Sequence, residues 1–439
     1  MSIRVAKFGG TSLASAQQFK KVADIIHSDP DRKYVVASAP GKRYSDDIKV
    51  TDLLNTSYRL AFEGSDYTEV LDQIYHRFLD IINELEIRDF PLDDEIQIIK
   101  DHLSSDPNPD YLASRGEYLN SKILAKYLGF SFVDPAGVII FDDNGNLDNE
   151  KTRINLKNAL EKEDYAVVAG FYGSFGNGTI HTFSRGGSDI TGSLVAMSVH
   201  ADLYENWTDV SGMLAADPRV VNNPVPIDYI SYQELRELSY MGASVLHEDA
   251  VFPVRMSGIP INIRNTNKPE DPGTMILARL RPGLSRNTVT GIAGKKGFSI
   301  IQIEKDMMNN EIGFVAKLLG ILADYRISFD HVPTGIDTVS VVVSTESFDP
   351  VRREVIHEIS KELEPDAIDV ENGIALIAVV GAGMVRTKGI AARTLKTISD
   401  ADINIRMIDQ GSSELNIILG VNESDYEKAI QSIYQELWQ

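Results

Sequence analysis

Two short stretches of the chain place a cationic side chain beside glycines, directly after an apolar run. In the first, Lys7 precedes Gly9 and Gly10, and in the second, Arg185 lies among six glycines between positions 170 and 187. Glycines let backbone N–H groups approach a ligand closely, and both cations bind phosphate or carboxylate groups. On glycine content alone, a flexible surface loop explains the second stretch equally well, because neither the P-loop pattern nor the dinucleotide-binding pattern is present.

The elements around these residues are expected to position them. Residues Arg4–Phe8 are predicted to form a strand that ends at the first glycines, and Ala16–His27 has a helical pattern. Residues 165–169 are a second apolar run, and a helix is predicted to open on Ser188 and Asp189. Two strand–loop–helix units, one with a lysine and one with an arginine, suggest a phosphoryl-transfer site. Alternating strand and helix patterns favour a largely parallel sheet covered by helices on both faces.

Three motifs in these regions resemble those of aspartate kinases, which belong to the amino acid kinase family. They are K-F-G-G-T-S at residues 7–12, S-R-G-G-S-D at residues 184–189 and W-T-D-V-S-G at residues 207–212, in family order. The resemblance implies the amino acid kinase fold, an open α/β sheet. It also implies ATP-dependent phosphorylation of the β-carboxylate of L-aspartate to 4-phospho-L-aspartate, the first step toward lysine, threonine and methionine.

The same resemblance implies roles for individual residues. Lys7 is expected to act with a magnesium ion that ATP carries, and Asp189 is expected to orient the lysine or the metal's surroundings. We expect no separate metal site made of protein ligands. Arg185 would hold the substrate α-carboxylate and Glu117 its ammonium. The expected substrate contacts are Thr51, Glu117, Phe171, Arg185 and Ser188, and the expected nucleotide contacts are Lys7, Gly9, Gly10, Thr208, Asp209, Leu214 and Arg219. Many relatives have tyrosine at the position of Leu214 and lysine at that of Ser244.

Without the resemblance, several residues have plainer explanations. Glu117 would be an exposed helix charge, Phe171 a core aromatic, and the Lys42–Arg43 pair part of a solvated loop. The acidic, helix-patterned residues 67–104 are assigned no chemistry, since such helices usually cover a sheet. His247 resembles a general base, but a substrate carboxylate with an ordinary pKa of about 3.9 is already ionised at neutral pH, so we expect a structural histidine.

Composition limits the classes of protein to which the chain can belong. With 439 residues, more than one domain is expected. The chain has 43 Lys and Arg against 64 Asp and Glu, a net charge of −21, which argues against nucleic acid or an anionic membrane as a partner. It has no cysteine, so disulfides and thiolate chemistry are excluded. We expect a cytoplasmic enzyme, because no signal peptide or long apolar run is apparent.

The last third of the chain contains an internal duplication. Positions 76 residues apart match as Gly313 with Gly389, Leu319 with Leu395, Ile327 with Ile403, Phe329 with Ile405, Val332 with Ile408, Gly335 with Gly411 and Val341 with Ile417. Two copies predict two α+β modules, because a solenoid needs at least three. The modules resemble ACT domains, the regulatory βαββαβ units of aspartate kinases. We expect a catalytic domain at 1–285 and ACT regions at 286–372 and 373–439, one embedded in the other, with residues 298–303 in the second module.

ACT domains in this family bind amino acids between subunits, so the resemblance implies a homodimer or homotetramer inhibited by a pathway end product. The expected effector residues are Met308, Phe314 and Asp330, which match a lysine site. Gly335 and Ile336 stand where lysine-inhibited relatives have a serine and a glutamate, and Asp337 is a possible substitute. Lysine is therefore the first expectation, threonine the second and an unregulated enzyme the third.

Two other functions stay open. One is a related kinase that acts on glutamate or a similar acid, which the R-G-E motif at residues 115–117 and the paired ACT modules disfavour, because both are typical of aspartate kinases. The other is a catalytically silent amino acid sensor, which would have no use for a phosphate-binding lysine. Binding of ligands without ATP turnover would support the sensor.

Overall fold

The computed structural model describes residues 2–105, 107–184, 186–243, 246, 248–280, 287–385 and 387–438, without the side chains of residues 248 and 249. Arg185, Ser244 and His247 therefore lie outside the described residues. The chain divides into two compact units. Unit 1 comprises Met1–Met213, Pro226–Tyr232 and Val245–Leu284, and unit 2 comprises Leu214–Val225, Gln233–Ser244 and Ser285–Gln439. This division differs from the predicted 1–285 domain, because it assigns two internal segments to unit 2.

Unit 1 is built on an eight-stranded sheet with the order β3-β5-β2-β1-β8-β10-β11-β9 and a small sheet with the order β4-β6-β7. The strands are β1 (Arg4–Phe8), β2 (Arg32–Ala37), β3 (Ser131–Val133), β4 (Ile140–Phe141), β5 (Ala166–Ala169), β6 (Tyr172–Phe175), β7 (Ile180–Thr182), β8 (Leu203–Thr208), β9 (Tyr229–Ser231), β10 (Ile261–Asn265) and β11 (Thr274–Leu277). In the large sheet only the β10–β11 pair is antiparallel among the described residues. The prediction of a largely parallel sheet is confirmed.

Helices cover both faces of this sheet. They are α1 (Ala16–His27), α2 (Val50–Phe62), α3 (Thr68–Glu84), α4 (Leu92–Ser105), α5 (Pro109–Leu128), α6 (Asn149–Leu160), α7 (Gly187–Ser198) and α9 (Glu248–Ser257). The helix α8 (Tyr232–Tyr240) lies between β9 and α9 in the chain and belongs to unit 2 except for its first residue. Side chains alternate along a strand, so Phe8 and Trp207 pack with the buried residues of α1 on one face. Lys7 and Asn206 point to the opposite face, toward the start of α7.

Most predicted elements of unit 1 are present with small shifts. The strand β1 and the helix α1 have the predicted bounds, whereas the strand predicted at 34–39 is Arg32–Ala37. The helix α5 begins at Pro109, two residues before the predicted start, because the Asn108 side chain caps it by accepting the N–H of Tyr111. The prediction of one continuous loop at 170–187 is wrong. This stretch contains the antiparallel strands β6 and β7, whose local pairing the glycines obscured.

Unit 2 contains a six-stranded sheet with the order β13-β14-β12-β15-β17-β16. Its strands are β12 (Gly291–Glu304), β13 (Phe329–His331), β14 (Thr338–Ser344), β15 (Ala367–Val380), β16 (Met407–Asp409) and β17 (Asn416–Asn422). Its helices are α10 (Phe314–Asp324), α11 (Thr345–Phe348), α12 (Arg352–Leu363), α13 (Ile390–Asp400) and α14 (Tyr426–Trp438). Two separate hydrophobic cores, one containing α10 and α12 and the other α13 and α14, define a first and a second module.

The two long strands β12 and β15 each serve both modules. Residues 298–304 of β12 pair with β14 and with residues 367–374 of β15, which completes the first βαββαβ module. Residues 291–295 of β12 pair instead with residues 376–380 of β15, next to β17. The first module is therefore inserted into the second. The expectation that residues 298–303 belong to the second module is wrong, because the preceding residues 291–295 supply its fourth strand.

The duplication is visible in matched helix starts. Gly313 precedes α10 with φ of 88°, and Gly389 precedes α13 with φ of 92°, both in the left-handed region that glycine adopts without strain.

Within the described part of the chain, none of the helices combines the length and hydropathy needed to cross a bilayer.

Candidate active site

The ion pair between Lys7 and Asp189 is the centre of the candidate site. Lys7 lies opposite Asn206 in the parallel register of β1 and β8, so both side chains leave the same face of the sheet. Asp189 is in the first turn of α7, and its Oδ1 lies 2.6 Å from Lys7 Nζ and 2.7 Å from Asn206 Nδ2. The Tyr204 hydroxyl also donates to the Asp189 carbonyl over 3.3 Å. The predicted contact between Lys7 and Asp189 is present, and the catalytic role of the pair stays a prediction.

The glycine loop after β1 folds into a short 3₁₀ turn, Gly10–Leu13. The Gly9 N–H donates to the carbonyl of Trp207 over 3.0 Å, so it is not available to a phosphate as we expected. The first N–H groups of a helical turn have no acceptor within it, which leaves Gly10 as the predicted backbone donor. A Cβ built at Gly9 would lie 3.8 Å from Lys7 Nζ, an ordinary van der Waals distance, so the loop passes directly beside this ammonium.

Glu117 is the most perturbed acidic group of the site. It lies on α5, where Gly116 packs so closely that a Cβ built there would lie 2.8 Å from Ala39 Cβ. Burial raises the pKa of Glu117 to about 8, although the Ala39 and Glu117 N–H groups and the charge of Lys7 act in the opposite direction. Its Oε2 is buried and has no hydrogen-bond partner. Since a buried carboxyl oxygen without a partner is unfavourable, a cationic ligand group would satisfy it.

Phe171 and Ser188 lie where β5 ends and α7 begins. Phe171 has φ of 82°, which is rare for a bulky residue and frequent at ligand sites, and its N–H donates to Thr191 Oγ1 over 3.1 Å. The Phe171 ring lies against Gly187, and the Ser188 side chain lies against Gly170. A Cβ built at Gly187 would come within 2.6 Å of the Phe171 ring, and one built at Gly170 within 2.6 Å of the Ser188 side chain. This close packing fixes both predicted substrate residues beside Asp189.

Thr51 lies on α2, a helix that packs against α5. It is in the first turn of α2, where the Val50 N–H donates to the Pro40 carbonyl over 3.3 Å. The side chains of Val50 and Leu54 on α2 pack against Gly116 of α5. Thr51 is therefore held next to the helix that carries Glu117, and its role as a substrate contact stays a prediction.

The predicted nucleotide contacts fall into both units. Thr208 ends β8 and donates to Asp209 Oδ1 over 3.2 Å, and Asp209 is exposed. Leu214 and Arg219 belong to unit 2. The Leu214 side chain is partly exposed, and the Arg219 side chain is 86% exposed and forms an ion pair with Asp217 at 2.6 Å. Nucleotide binding by these four residues stays a prediction.

The predicted effector residues lie in the first module of unit 2. The side chains of Met308 and Phe314 are buried in its hydrophobic core, so a ligand would meet their backbone first. Asp330 accepts a hydrogen bond from the Tyr240 hydroxyl over 2.6 Å. Asp337 Oδ1 accepts the Met307 N–H over 2.9 Å. Effector binding by these residues stays a prediction.

Sequence reasoning missed the residues that support the site. Asn206 and Tyr204 hold Asp189, yet we predicted only a strand there. A polar asparagine inside an otherwise buried strand was the available signal, because buried polar groups need partners. The Lys42–Arg43 loop was expected to be solvated, and both residues are exposed. The sequence did not indicate that Arg43 donates to Asp47 Oδ2 over 2.9 Å or that Lys42 donates to the Ser45 carbonyl.

Comparison with known proteins shows the family to which the chain belongs. The model of the amino acid kinase family matches residues 2–265, and a model of the ACT domain matches residues 377–437. The chain is 39% identical to Aspartokinase 3 of Bacillus subtilis, over 99% of both chains.

Solved structures agree over the whole chain. The aspartate kinase of Clostridium acetobutylicum is 51% identical, with a TM-score of 0.91 and complete coverage of both chains. E. coli aspartokinase III, also covered completely, gives TM-scores of 0.75 for its R-state complex with aspartate and ADP and 0.72 for its T-state complex with lysine and aspartate, at 26% and 27% identity. The chain therefore belongs to the amino acid kinase family and, within it, to the aspartokinases.

Proposed function

We propose that the protein transfers the γ-phosphoryl group of ATP to the β-carboxylate of L-aspartate, which yields 4-phospho-L-aspartate and ADP. The observation that carries this proposal is the buried Glu117 carboxyl, with an oxygen that has no partner, close to the Lys7–Asp189 pair. A carboxyl group there suits the ammonium of an amino acid, and a lysine beside a glycine loop suits a phosphate. The names of the relatives, including one solved with aspartate and ADP, support the same substrates.

Each group has a defined task in this reaction. Ionised Glu117 binds the substrate ammonium, and Arg185 is expected to hold the α-carboxylate, which leaves the β-carboxylate facing the phosphates. An oxygen of that carboxylate forms a bond to the γ-phosphorus, while the bond from phosphorus to the β,γ-bridging oxygen breaks and its electron pair leaves with ADP. No general base is needed, because the nucleophile is already ionised. Lys7 and the Gly10 N–H stabilise negative charge on the phosphates.

We propose that ATP enters as its magnesium complex. The metal neutralises part of the phosphate charge when it is bound. Asp189 fits such a complex, because both side-chain contacts described above use its Oδ1, and its carboxylate would help to hold the metal's surroundings when the metal is bound. We expect this carboxylate to orient Lys7 as well, so that a single residue connects the lysine with the metal's surroundings.

We further propose that an amino acid regulates the enzyme through the ACT modules of a homodimer or homotetramer, with lysine as the first candidate and threonine as the second. The inserted arrangement of the modules supports a regulatory role, and a relative has been solved with lysine. Met308, Phe314 and Asp330 are the proposed effector residues.

The test is release of ADP by the purified protein with MgATP and L-aspartate, compared with L-glutamate and D-aspartate. The acyl phosphate product is trapped with hydroxylamine, which separates transfer to a carboxylate from simple ATP hydrolysis. We expect turnover with L-aspartate alone and a decrease when lysine is added. Inhibition by threonine alone would change the proposed effector. Binding of aspartate and nucleotide without turnover would refute the kinase function and favour the sensor.

A further inference from the structure

We propose that Arg77 is a positioning residue for the phosphate-binding loop, a role that rests on the function proposed above. Arg77 lies on α3, a helix to which the sequence assigned no chemistry, and its side chain is only 4% exposed. Its Nη2 donates to the Gly41 carbonyl over 2.5 Å, and its Nη1 lies 2.8 Å from Asp47 Oδ2. One guanidinium thus holds both ends of the loop that follows β2.

The loop after β2 is in turn hydrogen-bonded to, and packed against, the glycine loop after β1. The Gly41 N–H donates to the Gly10 carbonyl over 2.8 Å. A Cβ built at Gly41 would lie 2.5 Å from the Gly10 carbonyl carbon and 2.7 Å from the Thr11 nitrogen, so the two backbones touch. A shift of Gly41 therefore displaces Gly10, the proposed donor to the phosphates. Arg77 reaches the nucleotide only through these two glycines.

The second contact of Arg77 keeps the loop from opening at its far end. Asp47 is almost fully buried and also accepts hydrogen bonds from the Arg43 backbone N–H, over 2.8 Å, and from its Nε, over 2.9 Å. Burial opposes ionisation, but the hydrogen bonds from Arg43 and the charge of Arg77 hold the pKa of Asp47 well below its usual range. The Asp47 carboxylate therefore stays ionised at neutral pH and keeps its contacts with Arg43 and Arg77.

The two contacts can be separated by substitution. Arginine offers a planar fork with donors in two directions, whereas lysine is a single compact charge on a flexible stem. In Arg77→Lys the ammonium is expected to stay with the Asp47 carboxylate, the stronger acceptor, and to lose the Gly41 carbonyl. This variant keeps the buried charge pair and releases only the contact that positions the glycine loop.

Arg32 provides a matched control. Its side chain is 5% exposed, and it too donates to a carboxylate, Glu205, and to a backbone carbonyl, that of Ile25 over 2.6 Å. It lies at the beginning of β2, whereas Gly41 follows the end of this strand. Arg32→Lys therefore reports the general cost of altering a buried arginine whose hydrogen bonds go to Glu205, Ile25 and Ser28 and not to the loop after β2.

The experiment measures the KM for MgATP, the KM for aspartate and the dissociation constant of MgADP by calorimetry, for the wild type and both variants. We expect Arg77→Lys to raise the MgATP KM and the MgADP dissociation constant about tenfold, and the aspartate KM much less. Arg32→Lys is expected to lose about as much stability as Arg77→Lys but to leave both KM values and the MgADP dissociation constant unchanged. Unaltered nucleotide constants in Arg77→Lys would overturn the inference.

Two further measurements keep this result interpretable. If Arg77→Lys does not fold, Gly41→Ala tests the contact between Gly41 and Gly10 directly, because the added Cβ would push on Gly10. We expect the same increase in the MgADP dissociation constant. No increase would refute the proposed effect of Gly41 on the phosphate-binding loop. A wild type that binds MgADP but shows no turnover with aspartate would refute the proposed function alone, since the calorimetric comparison still decides the role of Arg77.

Discussion

Replacement of Glu117 by glutamine gives the sharpest test of the site. Burial raises the pKa of this carboxyl from 4.5 to about 8 in the folded protein. The folded chain therefore binds the proton more tightly than the unfolded chain, and stability is lost as the pH rises from about 4.5 to about 8. At about 1.4 kcal/mol per unit of pKa, the full loss is about 5 kcal/mol. Glutamine keeps a similar shape and cannot ionise.

The assay is urea unfolding of the ligand-free protein at about pH 6 and about pH 9, between which the wild type is expected to lose about 3 kcal/mol more than Glu117→Gln. Glu84→Gln, at an exposed position of α3, is the matched control and should follow the wild type. Added aspartate should restore part of the loss at high pH, because its ammonium favours the ionised carboxylate.

The pH dependence of the kinetics gives an independent measure of Glu117 ionisation. If the substrate ammonium needs ionised Glu117, kcat/KM for aspartate rises about tenfold per pH unit up to about pH 8 and then levels off. Glu117→Gln should lack this rise and have a much higher aspartate KM. Equal pH dependence of stability in the wild type and Glu117→Gln, together with a flat kcat/KM profile, would refute the assignment of Glu117 to the ammonium.

Three further predictions concern other parts of the chain. Lys7→Met should reduce kcat by at least about 100-fold at a temperature well below its own unfolding midpoint, because the lost charge acts on the transferring phosphoryl group; a folded variant with nearly wild-type kcat would argue against this. Removal of divalent cations with EDTA should stop ADP release, and added Mg²⁺ should restore it; turnover in EDTA would contradict the proposed MgATP substrate. Gly313→Ala, at φ of 88°, should destabilise the protein by about 1 kcal/mol, whereas Gly320→Ala, inside the same helix α10 with open space around it, should stabilise it slightly, as calorimetric melting will show.

Local patterns in the sequence predicted most of the elements of unit 1 that surround the candidate site. The strand β1 and the helix α1 have the predicted bounds, because an apolar run, two glycines and an amphipathic helix are short-range signals. The duplication at 76 residues predicted two similar modules, and the two helix-start glycines have nearly equal φ values. A lysine and an arginine beside glycines suggested phosphoryl transfer, and the resemblance to aspartate kinases, which includes the R-G-E motif at residues 115–117, implied an acidic amino acid as the substrate.

Other properties depend on contacts between residues far apart in the chain, which no local pattern contains. The pKa of Glu117 comes from its burial, and the Gly9 N–H is unavailable because β8 happens to present the Trp207 carbonyl. Residues 291–295, rather than 298–303, complete the second ACT module because strand register is set by long-range pairing. Arg77 is 36 positions from Gly41, and only the folding of α3 over the loop makes it a support of the phosphate site. Motif chemistry is local in sequence, whereas burial, register and support arise only when distant segments pack together.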